Sequence, residues 1–275
     1  MEKNQIIVTG ASGSIGLAAV RAMAQRGCAV VMACRNVEKG EKGKESVLQD
    51  FPDADLQVEQ VDLDSLHSIR DFVNRLKDNN VRIGGLFNNA GTMCRSFDLT
   101  VDGFERTLAV NYLAPYYLTR ALSPLFDAET RVVNMVSVTC KTAHVERDFF
   151  QKTERDFHQL RTYGDTKLAL LLFTVALSQR LDCYVNMADP GVVNSNMIHL
   201  NRWFDPLADV LFRPFCKSPE KGAIPAVNAL TTRDTLRYFM GKKSKVLEKS
   251  CLNHPNIGWL WQETESLLRQ KGFEL

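Results

Sequence analysis

Short apolar runs alternate with helix-length stretches along the chain, and this alternation limits the fold more than any other feature. "QIIV" (5–8) leads into "IGLAAVRAMAQR" (15–26), and "AVVMA" (29–33) into the charged "VEKGEKGKESVLQD" (37–50). "LQVEQV" (56–61) precedes "SLHSIRDFVNRLKD" (65–78), and "GGLFN" (84–88) precedes, after a loop, a helix-like stretch from Val101 to Phe126. "RVVNMV" (131–136) is followed by a polar stretch and then "YGDTKLALLLFTVALSQRL" (163–181), while "YVNMA" (184–188) ends at Pro190 and Gly191. A further strand-like run is "RYFM" (237–240). Strands alternating with helices of this length build βαβ units and a mostly parallel sheet. Right-handed crossovers then put helices on both faces, and ligands bind beyond the carboxyl ends of the strands.

The 275 residues, 45% hydrophobic and 24% charged, are enough to bury a full core, and no linker or repeat divides them. One domain over residues 1–275 is expected. The net charge of +2 is spread along the chain, which excludes a nucleic-acid groove. The seven cysteines, at 28, 34, 94, 140, 183, 216 and 251, are odd in number and hold no C-x-x-C pair. No metal is expected, and a reduced, cytoplasmic setting fits best. "MEKNQIIV" enters the first strand at once, without a leader, and "LALLLFTVAL" (168–177) is too short to span a bilayer.

"TGASGSIG" (9–16) lies between the first strand and the first helix, with glycines at 10, 13 and 16. Glycines permit a tight turn and let backbone N–H groups approach a pyrophosphate, and the helix beginning near Ile15 adds its positive end. Ser12 and Ser14 carry hydroxyls there. Strand, turn and helix together describe a single-domain, Rossmann-type, doubly wound α/β sheet of about seven strands. An NAD site usually has an acidic residue about 20 positions further on. Here the second strand ends "MACRN", with Cys34 at that place and Arg35 next. A guanidinium binds a 2′-phosphate bidentately where a carboxylate repels it, so NADP(H) is favoured over NAD(H).

Tyr163 and Lys167, four apart, share a helix face. A nearby ammonium lowers the tyrosine pKa and readies the hydroxyl for acid–base work. Tyr238 and Lys242 have the same spacing, but Gly241 and a strand-like context mark that pair as a decoy. Ser137 ends the fifth strand, "FNNAG" (87–91) ends the fourth, and Asn111 is a short polar residue inside the apolar "LAVNYLAP". Asp62, in "VDLDS", and Asp64 are each placed to cap the helix that begins near Ser65.

These residues carry a resemblance. "NNAG", Asn111, Ser137, Tyr163-x-x-x-Lys167 and "PGVVNS" occur in the order and at the intervals of the short-chain dehydrogenases/reductases, and the first 240 or so residues resemble that family. The resemblance implies that Tyr163 is the general acid/base, Ser137 polarises the substrate oxygen, Lys167 tunes Tyr163 and holds ribose, and Asn111 holds a water of a proton relay. It places Asn89, Ala90 and Gly91 along the cofactor cleft, Asp62 and Leu63 at the adenine, and Pro190, Gly191, Val192 and Ser195 beside the nicotinamide. Ser14 stands where compact members usually have glycine. The spacing with Gly13 resembles the extended members that act on nucleotide sugars, but "NNAG" and "MACRN" match the compact branch.

"TVDGFERTLAVNYLAPYYLT" and the 26-position interval from Ser137 to Tyr163 are similar to the retinol-dehydrogenase-like members. The extra residues, 141–161, are expected to form a flap near the site, with Phe149, Phe150 and Phe157. Residues 192–218, with Trp203, Phe204, Phe212 and Phe215, match a substrate-covering lobe. Aromatics beside a cleft suggest an apolar small-molecule substrate or a closing lid, and packing against the sheet explains them as well. The C-terminal extension, 245–275, contains a helix-like "NIGWLWQETESLLRQKG" whose Trp259 and Trp261 cover the pocket, join a partner or simply pack. The helices around Asn111 and Lys167 match the pair that forms homodimers or homotetramers in this family, and burial within one chain gives the same pattern. The expectation is an NADP(H)-dependent enzyme interconverting a carbonyl and an alcohol. Beside it stand a nucleotide-sensing protein without chemistry and a nucleotide-sugar enzyme of the extended branch.

Overall fold

The computed structural model describes residues 4–193 and 217–275. Eight strands form one sheet in the order β3-β2-β1-β4-β5-β6-β7-β8. They are β1 (Gln5–Thr9), β2 (Ala29–Cys34), β3 (Leu56–Gln60), β4 (Ile83–Asn88), β5 (Arg131–Met135), β6 (Tyr184–Asp189), β7 (Arg237–Met240) and β8 (Lys243–Val246). β1 to β7 run parallel, and β8 returns antiparallel along β7. The sequence pattern gives about seven strands because "KSKV" is short and polar and has no apolar alternation to reveal it.

Helices cover both faces: α1 (Ser14–Ala24), α2 (Val37–Leu48), α3 (Leu66–Asp78), α5 (Gln159–Ser178), α6 (Pro219–Thr231), the short α7 (Lys249–Leu252) and α8 (Ile257–Gln270). Between α3 and α5 lies α4 (106–122). It joins an α turn, a π-helical segment Ala109–Leu113 and an α segment Ala114–Leu122. It starts later than the expected Val101, because Leu99 bridges Glu105 and the Glu105 carboxylate caps the helix, accepting from Thr107 N at 2.9 Å and Leu108 N at 2.7 Å.

Along β1, Ile7 faces one core, with α3, α4, α5 and α8, while Ile6 and Val8 face the other, with α1, α2 and α6. A strand buried on both faces reads as an unbroken apolar run, which is why "QIIV" and "AVVMA" show no polar alternation. α5 is buried from Leu168 to Leu177. Its outer side is covered by α8, where Trp261 lies 5.3 Å from the Tyr116 ring and 5.9 Å from the Phe173 ring. Arg120 and Arg180 lie over the same indole, at 4.5 and 4.3 Å. Trp259 packs 6.1 Å from Phe150. Of the roles left open for the two tryptophans, intrachain packing is the one the structure shows. Among the described residues no helix is long and apolar enough to cross a membrane.

Candidate active site

The turn after β1 is built for close approach. Gly10 has φ +62°, and a Cβ on Gly16 would fall 2.8 Å from Asn89 Nδ2. Gly13 is the N-cap of α1 with no side-chain cap, so the first N–H groups of that helix are not taken up by a cap side chain. Ser12, Ser14 and Ile15 line the same cleft with Asn89, Ala90, Gly91 and Arg35. Thr9, which the glycine pattern does not flag, ties the "NNAG" loop to the turn: its hydroxyl accepts from Asn89 N at 3.0 Å and Ala90 N at 3.1 Å. Asn89 Nδ2 donates to Thr9 O at 2.8 Å.

At the far end of the cleft, Arg35 shares a wall with Asp62, Leu63, Asp64 and Arg106. Asp64 Oδ2 accepts from Arg35 Nη1 at 3.2 Å and Arg106 Nη1 at 2.8 Å. Burial pushes the Asp64 carboxyl up, and Arg106 and then Arg35 oppose that push. Neither Asp62 nor Asp64 caps α3. The cap is Ser65, whose hydroxyl accepts from Ser68 N, and Asp62 Oδ1 instead accepts from Asp64 N at 3.0 Å. Asn36 and Lys39 also face the cleft beside Arg35. Neither Lys39 nor Arg106 is marked in the sequence, because a single cation in a charged stretch carries no periodic signal.

The catalytic candidates converge at the carboxyl ends of β4, β5 and β6. Ser137 follows β5 and opens a 3₁₀ turn, Val138–Thr142. Its hydroxyl accepts from Thr139 N at 3.3 Å and lies near enough to Tyr163 to favour tyrosinate. Lys167 is fully buried, with Nζ 5.7 Å from the Tyr163 ring centre and donating to Met135 O at 2.8 Å. A Cβ on Gly91 would lie 3.3 Å from that Nζ and 3.2 Å from Asn111 Oδ1. Three elements therefore meet at one point with no room for a further side chain.

The expected lowering of the Tyr163 pKa is corrected by desolvation at the site. Burial pushes the Tyr163 hydroxyl up to about 12, more than the nearby Ser137 hydroxyl pulls it down. Burial likewise pushes the Lys167 ammonium down to about 8. In this arrangement the tyrosine stands as a protonated acid.

Asn111 lies inside the π-helical segment and is fully buried. Its Oδ1 accepts from Thr92 N at 2.7 Å, and its Nδ2 donates to Thr92 O at 2.8 Å and Thr166 Oγ1 at 3.2 Å. The amide ties the loop after β4 to α5, which is what placing a short polar group in an apolar helix accomplishes here.

After β6, Gly191 adopts φ +71° and donates its N–H to Asp189 Oδ1 at 2.8 Å. Pro190 O accepts from Lys217 Nζ at 3.3 Å, and Val192 O from Lys217 N at 2.9 Å. Ser195 and the aromatics at 203–215 lie outside the described residues. Tyr238 and Lys242 sit on a hairpin, with the Tyr238 hydroxyl donating to Asp189 Oδ2 at 2.6 Å, so the second Tyr–Lys pair is structural. The flap residues Phe149 and Phe150 pack 5.7 and 6.2 Å from the Tyr112 ring, and Phe149 is buried in the core. Among the described residues no cluster of His, Cys, Asp or Glu is arranged to hold a metal.

The family model described as short chain dehydrogenase matches residues 4–203. Human retinol dehydrogenase 13 is 30% identical over 96% of this chain and 84% of its own length. Mouse retinol dehydrogenase 12 is 32% identical over 96% and 85%. Among solved structures, an uncharacterised protein from Mycobacterium paratuberculosis superposes with a TM-score of 0.76 at 25% identity, over 98% of this chain and 94% of that one. A short-chain dehydrogenase from Sphingobium yanoikuyae in complex with NADPH gives 0.67 at 19% identity, over 97% and 94%.

Proposed function

The chain belongs to the short-chain dehydrogenase/reductase family and is an oxidoreductase of that family, and from this premise we propose that it interconverts a carbonyl and an alcohol with NADP(H) as cofactor. The observation that carries the reading is the Ser137–Tyr163–Lys167 arrangement at the carboxyl end of β5, with the buried Lys167 against Gly91. The turn fits a dinucleotide. The crowded Gly16, the uncapped N-terminus of α1 and the loop 89–91 form a concave wall of backbone donors. Gly10, Gly13 and Gly16 would hold the pyrophosphate, Asp62 and Leu63 the adenine, Lys167 the ribose, and Pro190 to Val192 the nicotinamide. The bound nicotinamide would supply or accept the hydride.

Arg35 is the group proposed for the 2′-phosphate, with Lys39 beside it. Arg35 is held from one side by Asp64 but its side chain is 70% exposed, so its remaining donors face solvent. In the reduction direction the Tyr163 hydroxyl, protonated at neutral pH, donates its proton to the carbonyl oxygen, and the Ser137 hydroxyl bonds both oxygens. The retinol dehydrogenases among the relatives support an apolar substrate. The face of α4 and α5 implied for a homodimer or homotetramer is covered by α8 through Trp261, which supports a chain that needs no second subunit there.

The test is a fluorescence titration of the purified protein with NADPH and, separately, NADH. Tight NADPH and weak NADH binding is expected, followed by NADPH-dependent reduction in a screen of carbonyl compounds. Binding of neither nucleotide would overturn the reading.

A further inference from the structure

The insertion 141–161 has no strand or α-helix of its own outside the start of α5; its only regular pieces are the 3₁₀ turns Val138–Thr142 and Glu154–Asp156. Such a segment does not hold its own shape, so its position must come from partners. Beside the core packing of Phe149 and Phe150, one polar partner is Asp165, two residues after Tyr163 on α5, whose side chain is 1% exposed. Oδ1 accepts from His144 N at 2.9 Å. Oδ2 accepts from Lys152 Nζ at 2.6 Å, with Arg161 Nε at 3.9 Å. Both oxygens are spent on the insertion. A buried carboxylate is tolerated only when it is paired in this way.

The His144 contact lies seven residues after Ser137, whose hydroxyl is near enough to Tyr163 to lower its pKa. Two rungs therefore cross between the same two segments, the His144–Asp165 hydrogen bond and the packing on Gly164, next to Tyr163. At the second, the Thr139 carbonyl and the Ala143 Cβ pack on Gly164, each 3.5 Å from where a Cβ would stand. Two rungs fix both the distance and the register of the segments, where one would leave Ser137 free to pivot. Next to His144, Asn256 Nδ2 donates to Val145 O at 2.6 Å and adds an anchor at the same end of the insertion.

We propose that Asp165 is a positioning residue that clamps the insertion 141–161 to the catalytic helix and thereby sets Ser137 against Tyr163. Its effect on turnover rests on the carbonyl–alcohol chemistry proposed above, whereas the clamp on the insertion does not.

Full-length wild type, Asp165→Ala and Asp165→Asn are compared by trypsin cleavage after the exposed Arg147 and Arg155, by NADPH titration and by steady-state reduction of a carbonyl substrate. Asp165→Ala should be cut in the insertion about tenfold faster, because local opening exposes it. NADPH affinity should stay within about twofold, and kcat should fall by on the order of 10²-fold, as for a small misplacement of a catalytic group. Asp165→Asn keeps an acceptor for His144 N and should recover most of kcat. If Asp165→Ala does not fold, Lys152→Met removes one arm of the clamp and should still speed cleavage after Arg155. Wild-type cleavage in these variants, wild-type kcat despite faster cleavage, or no rescue by asparagine would each overturn the proposal. A wild type that reduces no carbonyl would instead overturn the chemistry, while the cleavage comparison still decides the clamp.

Discussion

The Lys167 ammonium sits 5.7 Å from the centre of the Tyr163 ring and gives a hydrogen bond to the Met135 carbonyl at 2.8 Å. Lys167 is thus held on the end of β5 by a backbone group and is buried, while Tyr163 is half-buried. Burial favours the neutral form of each, moving the tyrosine up to about 12 and the lysine down to about 8. A neutral tyrosine beside a lysine close to its own titration is an acid with a cation in reserve.

Tyr163→Phe keeps the ring that packs on α5 and removes only the hydroxyl. NADPH affinity should change by less than about threefold, while turnover should fall by on the order of 10² to 10⁴, the range for loss of a general acid. Steady-state kinetics beside a nucleotide titration checks both. Turnover near wild type would end the assignment of Tyr163 as the proton donor.

The lysine pKa makes stability depend on pH with a definite sign. Lys167 titrates near 8 when folded and at its ordinary 10.5 when unfolded, so between these values the unfolded chain binds more protons. Its unfavourable contribution is present in full below pH 8 and is relieved as pH rises toward 10.5. Relative to Lys167→Met, wild type should therefore gain about 3 kcal/mol across that window. Urea unfolding of the two proteins near pH 7 and near pH 10 measures the difference, and equal pH slopes would contradict it.

Arg35→Ala should weaken NADPH by roughly 10- to 100-fold, the worth of one charge-assisted bidentate contact, and leave NADH nearly untouched. The same change releases one of the two guanidinium groups on Asp64, and Arg106 remains to pair it. The pocket wall should therefore survive, and the loss reads as phosphate recognition. A parallel loss for NADH would place the damage in the adenine pocket instead.

Trp261→Ala opens the cover over α4 and α5. The indole is buried, stacks near Tyr116 and Phe173, and is flanked by Arg120 and Arg180. A loss of about 3 to 5 kcal/mol is expected for truncating a buried tryptophan. Size-exclusion chromatography should show the wild type as a monomer and the variant self-associating through the uncovered apolar face. A wild-type dimer that survives the substitution would show that another surface joins the subunits.

The short-range rules of the chain were readable one residue at a time. The doubly parallel sheet follows from apolar runs such as Ile6–Val8, because a strand buried on both faces must be apolar throughout. The turn follows from Gly10 and Gly16, since φ and close approach are demanded at fixed places. The position of Ser137 at a strand end and the pairing of Tyr163 with Lys167 follow from helix and strand periods. None of these needs a partner distant in sequence.

What the tertiary structure decided are the properties that depend on such partners. The direction of the Tyr163 shift is one, because desolvation is set by everything packed around the group and not by its neighbour four residues on. The use of both Asn111 amide ends on Thr92 and Thr166, and of both Asp165 oxygens on the insertion, are others. So are the docking of Trp261 over α5, 83 to 102 residues from Ser178 and Gln159 at the helix ends, and the polar β8, recognisable only by its pairing with β7. Local sequence fixes backbone preference and periodicity; burial, charge pairing and hydrogen-bond satisfaction are fixed only when segments far apart in the chain come into contact.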